Sequence, residues 1–298
     1  MDAAGSPEFA LACTEASTVE GLLERSDAAR VDDWLTQETV TGKAWEAWSP
    51  LPVRRIHLGN EFCDRLLPEI RCLTSCLADP RYAVTLALPL LSDAGIRRTL
   101  PLLDAMPPGH EVIVNDWGLL RLLRRSYPDL IPVAGRLLCK QIKDPRLPSG
   151  EWSRLYPTGI FSDSFSDLLG DYGMDRMEVD IPPHARATEL QSARLHLSAH
   201  LLYGYSLKGR MCKIGSLRLP ESNRFQPGHG CGRECLDYVE LTARQDQTAN
   251  ELPTFQRGNT RFYRHDRAMT GAVLSAVKQG WIDRLVIHGD WHADRRPH

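Results

Sequence analysis

From Arg55 to Gly289, short apolar or β-branched runs alternate with longer stretches of helical periodicity. That alternation predicts a parallel-sheet α/β protein. Seven runs predict strands: Arg55–Asn60, Ala83–Pro89, Glu111–Asp116, Leu130–Ala134, Met177–Pro182, Arg194–Ala199 and Arg284–Gly289. The amphipathic segments Asp93–Met106, Trp117–Tyr127 and Met269–Gly280 fit crossover helices between them. Seven strands is one short of a closed barrel, so the expected fold class is α/β, a TIM-barrel-like (β/α) domain. Several strands end in polar or glycine-containing turns, namely Gly59-Asn60, Asn115-Asp116 and Gly289-Asp290. The C-terminal ends of parallel strands are where such folds build their sites.

The regularity breaks between Tyr203 and Arg264, where Gly, Pro, Arg and Asn crowd the stretch from Ser216 to Gly232. This reads as a site-bearing, cysteine-containing insertion at about 207–262. Its strand-like runs, Tyr238–Ala243 and Thr260–His265, are expected to form an antiparallel pair capping the barrel. Residues 1–50 read as an N-terminal extension and 51–298 as the barrel domain. Within the extension, Gly5 to Phe9 has the look of a cloning scar, which sets residues 1 to 12 outside the fold and leaves Cys13 without an expected role. Ala16 to Ala47 is expected to be a helical preface.

Composition narrows the class. Of 298 residues, 42% are apolar and 25% charged, as in folded globular chains rather than disordered ones. No apolar run reaches the roughly 18 residues a membrane span needs, and no signal peptide is evident, so the expectation is a cytoplasmic protein without membrane insertion. A formal net charge of -2 argues against a globally basic nucleic-acid binder.

Eight cysteines are more than packing requires, and a reducing compartment disfavours disulfides, so metal ligation or catalysis becomes the leading explanation. Cys231-Gly-Arg-Glu-Cys235 puts two thiols in one loop, within reach of a single metal centre. Cys212 lies upstream, beyond the sixth predicted strand, and Cys63 follows the first. Closure of a barrel brings its first and later strands together, so these positions can converge. Cys72 and Cys76, at helical spacing, and Cys139 read as packing residues. Zinc and an iron-sulfur cluster both suit four thiolates; two ligands far apart in sequence depart from the paired spacing of structural zinc sites and favour iron-sulfur.

Several segments resemble the peptidase U32 family. Ile56-His-Leu-Gly-Asn-Glu-Phe-Cys63 is similar to the family's first strand and its ligand cysteine, and Val114-Asn-Asp-Trp-Gly118 to the turn after the third strand. Ile131-Pro-Val-Ala-Gly135 continues the likeness, and His200-Leu-Leu-Tyr-Gly-Tyr-Ser206 resembles the family segment leading to a cysteine, with Ala199 and Leu202 departing from its Gly and Pro. Cys212, Cys231 and Cys235 follow in the family's ligand order, and Arg284–Gly289 resembles the closing strand.

The resemblance implies a [4Fe-4S] cluster on Cys63, Cys212, Cys231 and Cys235, serving oxygen-independent hydroxylation of a small-molecule biosynthetic intermediate. Asp116, His200 and His288, at predicted strand ends, are the candidates for acid-base chemistry. It also implies an alternative, an accessory iron-sulfur subunit in a heterodimer with a homologous U32 protein. RNA modification, with Arg54-Arg55, Arg124-Arg125 and Arg295-Arg296 as phosphate contacts, is a further alternative. No protease nucleophile, base and orienting acid can be assembled from the sequence.

Overall fold

In a computed structural model describing residues 6–36, 40, 43–155, 159–192, 194–224, 226, 228–242 and 251–290, eight parallel strands close into a barrel. They are β1 (Glu8–Cys13), β2 (Arg55–Gly59), β3 (Ala83–Ala87), β4 (Glu111–Val114), β5 (Ile131–Ala134), β6 (Arg176–Val179), β7 (His196–His200) and β12 (Arg284–His288). The order around the barrel is β1-β12-β7-β6-β5-β4-β3-β2. All seven strand predictions therefore fall on barrel strands, and the TIM-barrel-like class holds.

The eighth strand corrects the reading of the N-terminus. β1 lies in the stretch set aside as a cloning scar and inside the supposed extension of residues 1–50. It pairs with β12 from Glu8↔Arg284 to Ala12↔His288 and with β2 from Ala10↔Arg55 to Cys13↔Leu58. Phe9, Ala10, Leu11 and Cys13 are buried. A strand covered on both faces needs a short, nearly continuous apolar run, and Phe-Ala-Leu-Ala-Cys supplies one. Gly5 lies outside the described residues.

Helices cover the barrel at the three expected amphipathic segments, Asp93–Ala105, Trp117–Ser126 and Arg267–Lys278, and also at Ile70–Ala78 and Asp163–Asp171. Four of them begin at a side-chain cap, with Ser92, Asp116, Ser162 and Asp266 each accepting a hydrogen bond from a first-turn N–H. Outward strand residues such as Leu11, Ile56, Leu86, Val112, Met177, Leu197 and Leu285 pack against helix residues including Leu73, Leu103, Leu123, Leu169 and Val273. Each such side chain contributes roughly 1.5–3 kcal/mol through burial. Among the described residues the expected helical preface comprises two helices, Ala16–Leu23 and Lys43–Trp48, and a 3₁₀ turn, Val31–Asp33.

The insertion carries an antiparallel sheet of four strands: β8 (Tyr203–Lys208), β9 (Glu240–Thr242), β10 (Thr254–Arg257) and β11 (Thr260–Arg264), in the order β8-β11-β10-β9. The two expected strands correspond to β9 and β11, but they are not partners, because β10 lies between them. Ala243 falls outside the described residues. Among the described residues no helix is long and apolar enough to cross a membrane.

Barrels of this kind usually fill their interior with Val, Ile and Leu; this one is charged. β1, β2, β4 and β12 open with Glu8, Arg55, Glu111 and Arg284. Arg55 Nε lies 2.9 Å from Glu8 Oε1, and Arg284 Nη1 lies 2.8 Å from Glu111 Oε2, while Thr85 Oγ1 donates to Glu111 Oε2 at 2.9 Å. Two cations and two carboxylates thus plug the N-terminal end, leaving the C-terminal end open for chemistry.

Candidate functional site

The C-terminal mouth holds a cavity of about 590 Å³, lined by all four predicted ligand cysteines. Gly59 ends β2 at φ +119°, and a Cβ there would meet the Ala87 carbonyl oxygen at 2.4 Å, so only glycine allows this approach. The chain then turns through Asn60, whose Oδ1 accepts from the N–H groups of Phe62 and Cys63, each at 2.9 Å. That turn fixes Cys63 on the rim.

The other three cysteines come from the insertion. Cys212 caps the short helix Lys213–Ser216, and its sulfur accepts from the Gly215 N–H at 3.2 Å. Cys231 Sγ accepts from the Arg233 N–H at 3.2 Å. Cys235 sits in a 3₁₀ turn, its carbonyl held at 2.9 Å by Arg257 Nε, and Arg257 is anchored by Glu15 at 2.8 Å.

Two glycines show how closely the thiols converge. A Cβ at Gly215 would meet Cys231 Sγ at 3.0 Å and Cys212 Sγ at 3.3 Å. A Cβ at Gly258 would meet Cys235 Sγ at 3.4 Å and Cys212 Sγ at 4.0 Å. Cys212 is common to both spaces, and Cys63 packs with Cys212 and Cys235 around Leu66 and Ile214. Burial pushes the Cys63 thiol up, that of Cys212 up to about 11 and that of Cys235 up to about 12. These three thiols are protonated near neutrality unless a metal displaces the proton. Four sulfurs, two of them receiving backbone N–H groups, are the soft donors that a thiolate-bound cluster or zinc takes, but among the described residues no three of them lie within 4.8 Å of one another.

The cavity floor is polar. His57, Glu61, Arg136, His200 and His288 line it, and Glu178 lies beneath. His200 Nε2 lies 2.5 Å from Glu178 Oε2 and 3.9 Å from Glu61 Oε2, and His57 Nδ1 stands 3.4 Å from Glu178 Oε1. Burial drives both His57 and His200 down to about 3, so both imidazoles are neutral. Burial likewise holds His288 well below the usual histidine range. Arg136 spans Glu61 at 2.5 Å and Asp180 at 3.0 Å, Lys143 pairs with the other Asp180 oxygen, and Tyr205 donates to the Arg136 carbonyl at 3.0 Å.

The three acid-base candidates separate. His200 and His288 lie together over the cavity, ring centroids 5.7 Å apart. Asp116 does not line it; its carboxylate accepts from the Leu119 N–H at 3.0 Å as a helix cap. Cys13, Cys76 and Cys139 are buried in the core as packing residues, and Cys72 is partly exposed on the same helix as Cys76. Arg295 and Arg296 lie outside the described residues. His57, Glu61, Arg136, Glu178 and Asp180 were not anticipated; polar-apolar alternation in Arg55-Ile-His-Leu-Gly59 and Arg176-Met-Glu-Val-Asp180 is a signal for His57, Glu178 and Asp180, while Glu61 and Arg136 follow their strands in turns and carry none.

No protein-family model matches the chain, and no curated protein does. Two similar solved structures are the spore cortex-lytic enzyme SleL of Bacillus megaterium QM B1551 and YKL-39 in the presence of chitooligosaccharides. The first has 11% identity and a TM-score of 0.37, covering 96% of this chain and 70% of that one. The second has 11% identity and a TM-score of 0.30, covering 96% and 92%. Similarity at this level assigns no chemistry.

Proposed function

We propose that Cys63, Cys212, Cys231 and Cys235 hold a [4Fe-4S] cluster at the barrel mouth, and that the chain is an iron-sulfur protein of peptidase U32 type serving oxygen-independent hydroxylation of a small-molecule intermediate. The observation that carries the reading is convergence: four cysteines, one from the barrel and three from the insertion, line one cavity, and the three from the insertion crowd the β-positions of Gly215 and Gly258. Four thiolates around one space are the ligand set such a cluster takes. A bound cluster would supply electron transfer that no ordinary side chain can perform. His57, His288 and Arg136 would then face the substrate from the cavity floor, the imidazoles as neutral proton acceptors and the guanidinium as a fixed positive charge.

Anaerobic purification with iron and sulfide analysis tests this, alongside a Cys231→Ala/Cys235→Ala variant. A brown protein with roughly four irons and four sulfides, lost in the variant, is the expected result. A colourless protein carrying zinc overturns the redox reading.

A further inference from the structure

The barrel floor carries a second constellation, separate from the cysteines. Glu61, Glu178 and His200 are all buried and each offers a ligand atom within 4.8 Å of the others. His57, only 1% exposed, has neither ring nitrogen in a hydrogen bond among the described residues, and His200 Nδ1 and Glu178 Oε1 likewise lack one, the 3.4 Å approach of His57 Nδ1 to Glu178 Oε1 making none. Leaving such atoms buried and unsatisfied costs roughly 1–3 kcal/mol each, so four around one carboxylate need a reason.

Charge points the same way. At the N-terminal plug, Arg55 and Arg284 balance Glu8 and Glu111. One level up, the buried carboxylates Glu61, Glu178 and Asp180 face only Arg136 and Lys143. An uncompensated buried carboxylate is costly, and a bound cation removes the cost.

We infer that Glu61, Glu178 and His200 form a binding site for one divalent first-row transition-metal ion, on the floor of the cavity whose rim carries the cysteines. Ligand atoms bonded at about 2.1 Å to a tetrahedral ion stand about 3.4 Å apart. The Glu61–His200 separation is 3.9 Å, while the Glu178–His200 pair at 2.5 Å has to open by a side-chain movement; His57 Nδ1, 3.4 Å from the other Glu178 oxygen, stands outside this set of three. One imidazole and two carboxylates suit manganese, iron, cobalt or zinc rather than the soft ions that thiolates select. Access exists, because His57, Glu61 and His200 all line the cavity. The site uses none of the cysteines, so it stands whether or not they carry a cluster.

Cobalt(II) is the probe. Chelator-treated, full-length protein is titrated anaerobically with Co²⁺ and followed by visible absorption and metal analysis after gel filtration. The expected result is one cobalt per chain with d–d bands, at least tenfold weaker binding in Glu178→Gln, and retention of those bands in Cys231→Ala/Cys235→Ala. Cobalt showing only thiolate charge-transfer bands, or binding unchanged by Glu178→Gln, overturns the inference. Absence of binding, with a protonated-carboxyl infrared band that Glu178→Gln removes, assigns the missing positive charge to a proton and also overturns it. Should Glu178→Gln not fold, X-ray absorption on the cobalt-loaded wild-type chain decides: a nitrogen and oxygen shell with imidazole scattering supports the site, and a sulfur shell refutes it.

Discussion

Arg136 Nη2 lies 2.5 Å from Glu61 Oε2 in the barrel mouth, with the Arg136 side chain 1% exposed and that of Glu61 7%. The same guanidinium reaches Asp180 at 3.0 Å and sits over the Phe62 ring, 5.0 Å from its centroid. It thereby ties the Cys63 loop to β5 and to the end of β6. Arg136→Met removes the shared cation from two buried carboxylates and is expected to destabilise by about 3–5 kcal/mol. Urea unfolding followed by circular dichroism measures it. Arg136→Lys is expected to recover only part, since a point charge cannot fork to both carboxylates. Full recovery by lysine would reduce the fork to a simple charge.

Acid should unfold the protein progressively. Burial holds His57, His200 and His265 at about 3, far below the ordinary value near 6.5. Below pH 6.5 the unfolded chain binds protons that the folded chain refuses, so stability falls from there toward pH 3. Asp180 and Glu111 act in the same direction at lower pH. Burial alone would raise both, but Lys143 and Arg136 hold Asp180 at about 2, and Arg284 and Arg55 hold Glu111 there. Their contribution is present above about pH 4 and is lost as pH falls through 2. Burial raises the carboxyls of Glu178 and Asp290, which act in the opposite direction; with three histidines against two carboxyls, the urea midpoint is expected to be lower at pH 4 than at pH 7, and an equal or higher midpoint at pH 4 would contradict neutral buried histidines.

How much of this was legible in the sequence depends on which face of each strand is asked about. The outward faces, such as Ile56 and Leu58 in β2 or Leu285 and Ile287 in β12, gave apolar runs that mark strands unambiguously. The inward faces, His57, Glu178 and His200, look like polar interruptions of those runs unless the barrel is already assumed. β1 was missed because a six-residue strand resembled a cloning scar, and sequence alone could not show that β2 and β12 need a partner between them. β8 and β10 were missed because their residues are only partly buried on the described faces, so their pattern is weak. That Cys63, Cys212, Cys231 and Cys235 would meet at one cavity was legible because thiols, unlike acids or histidines, have few other uses in such loops.

The missed strand makes a direct prediction. Deleting residues 1–13 removes the only link between β12 and β2 in the described sheet, exposing two unpaired edges and the partners of Phe9 and Leu11. Loss of soluble, cooperatively folding protein is expected. Deleting residues 1–5, which precede Glu8, is expected to leave the thermal midpoint unchanged. Normal folding of the longer deletion, seen as a sharp thermal transition, would return β1 to the status of an extension.

The space between the sulfurs can be filled by one methyl group. In Gly215→Ala the new Cβ would stand 3.0 Å from Cys231 Sγ and 3.3 Å from Cys212 Sγ, closer than ordinary van der Waals contact, so at least one sulfur has to move. A cluster fixes its ligands within a few tenths of an ångström, and displacing two of four should lower iron incorporation severalfold while the barrel stays folded. Gly21→Ala is the control: nothing lies within 4 Å of its β-position, and it sits within the helix Ala16–Leu23. There alanine should raise stability by up to about 1 kcal/mol. Iron per chain and thermal midpoint, measured side by side, separate the two effects. Equal iron in wild type and Gly215→Ala would mean that the sulfurs do not share a rigid centre, because only a fixed ligand geometry makes that methyl group costly.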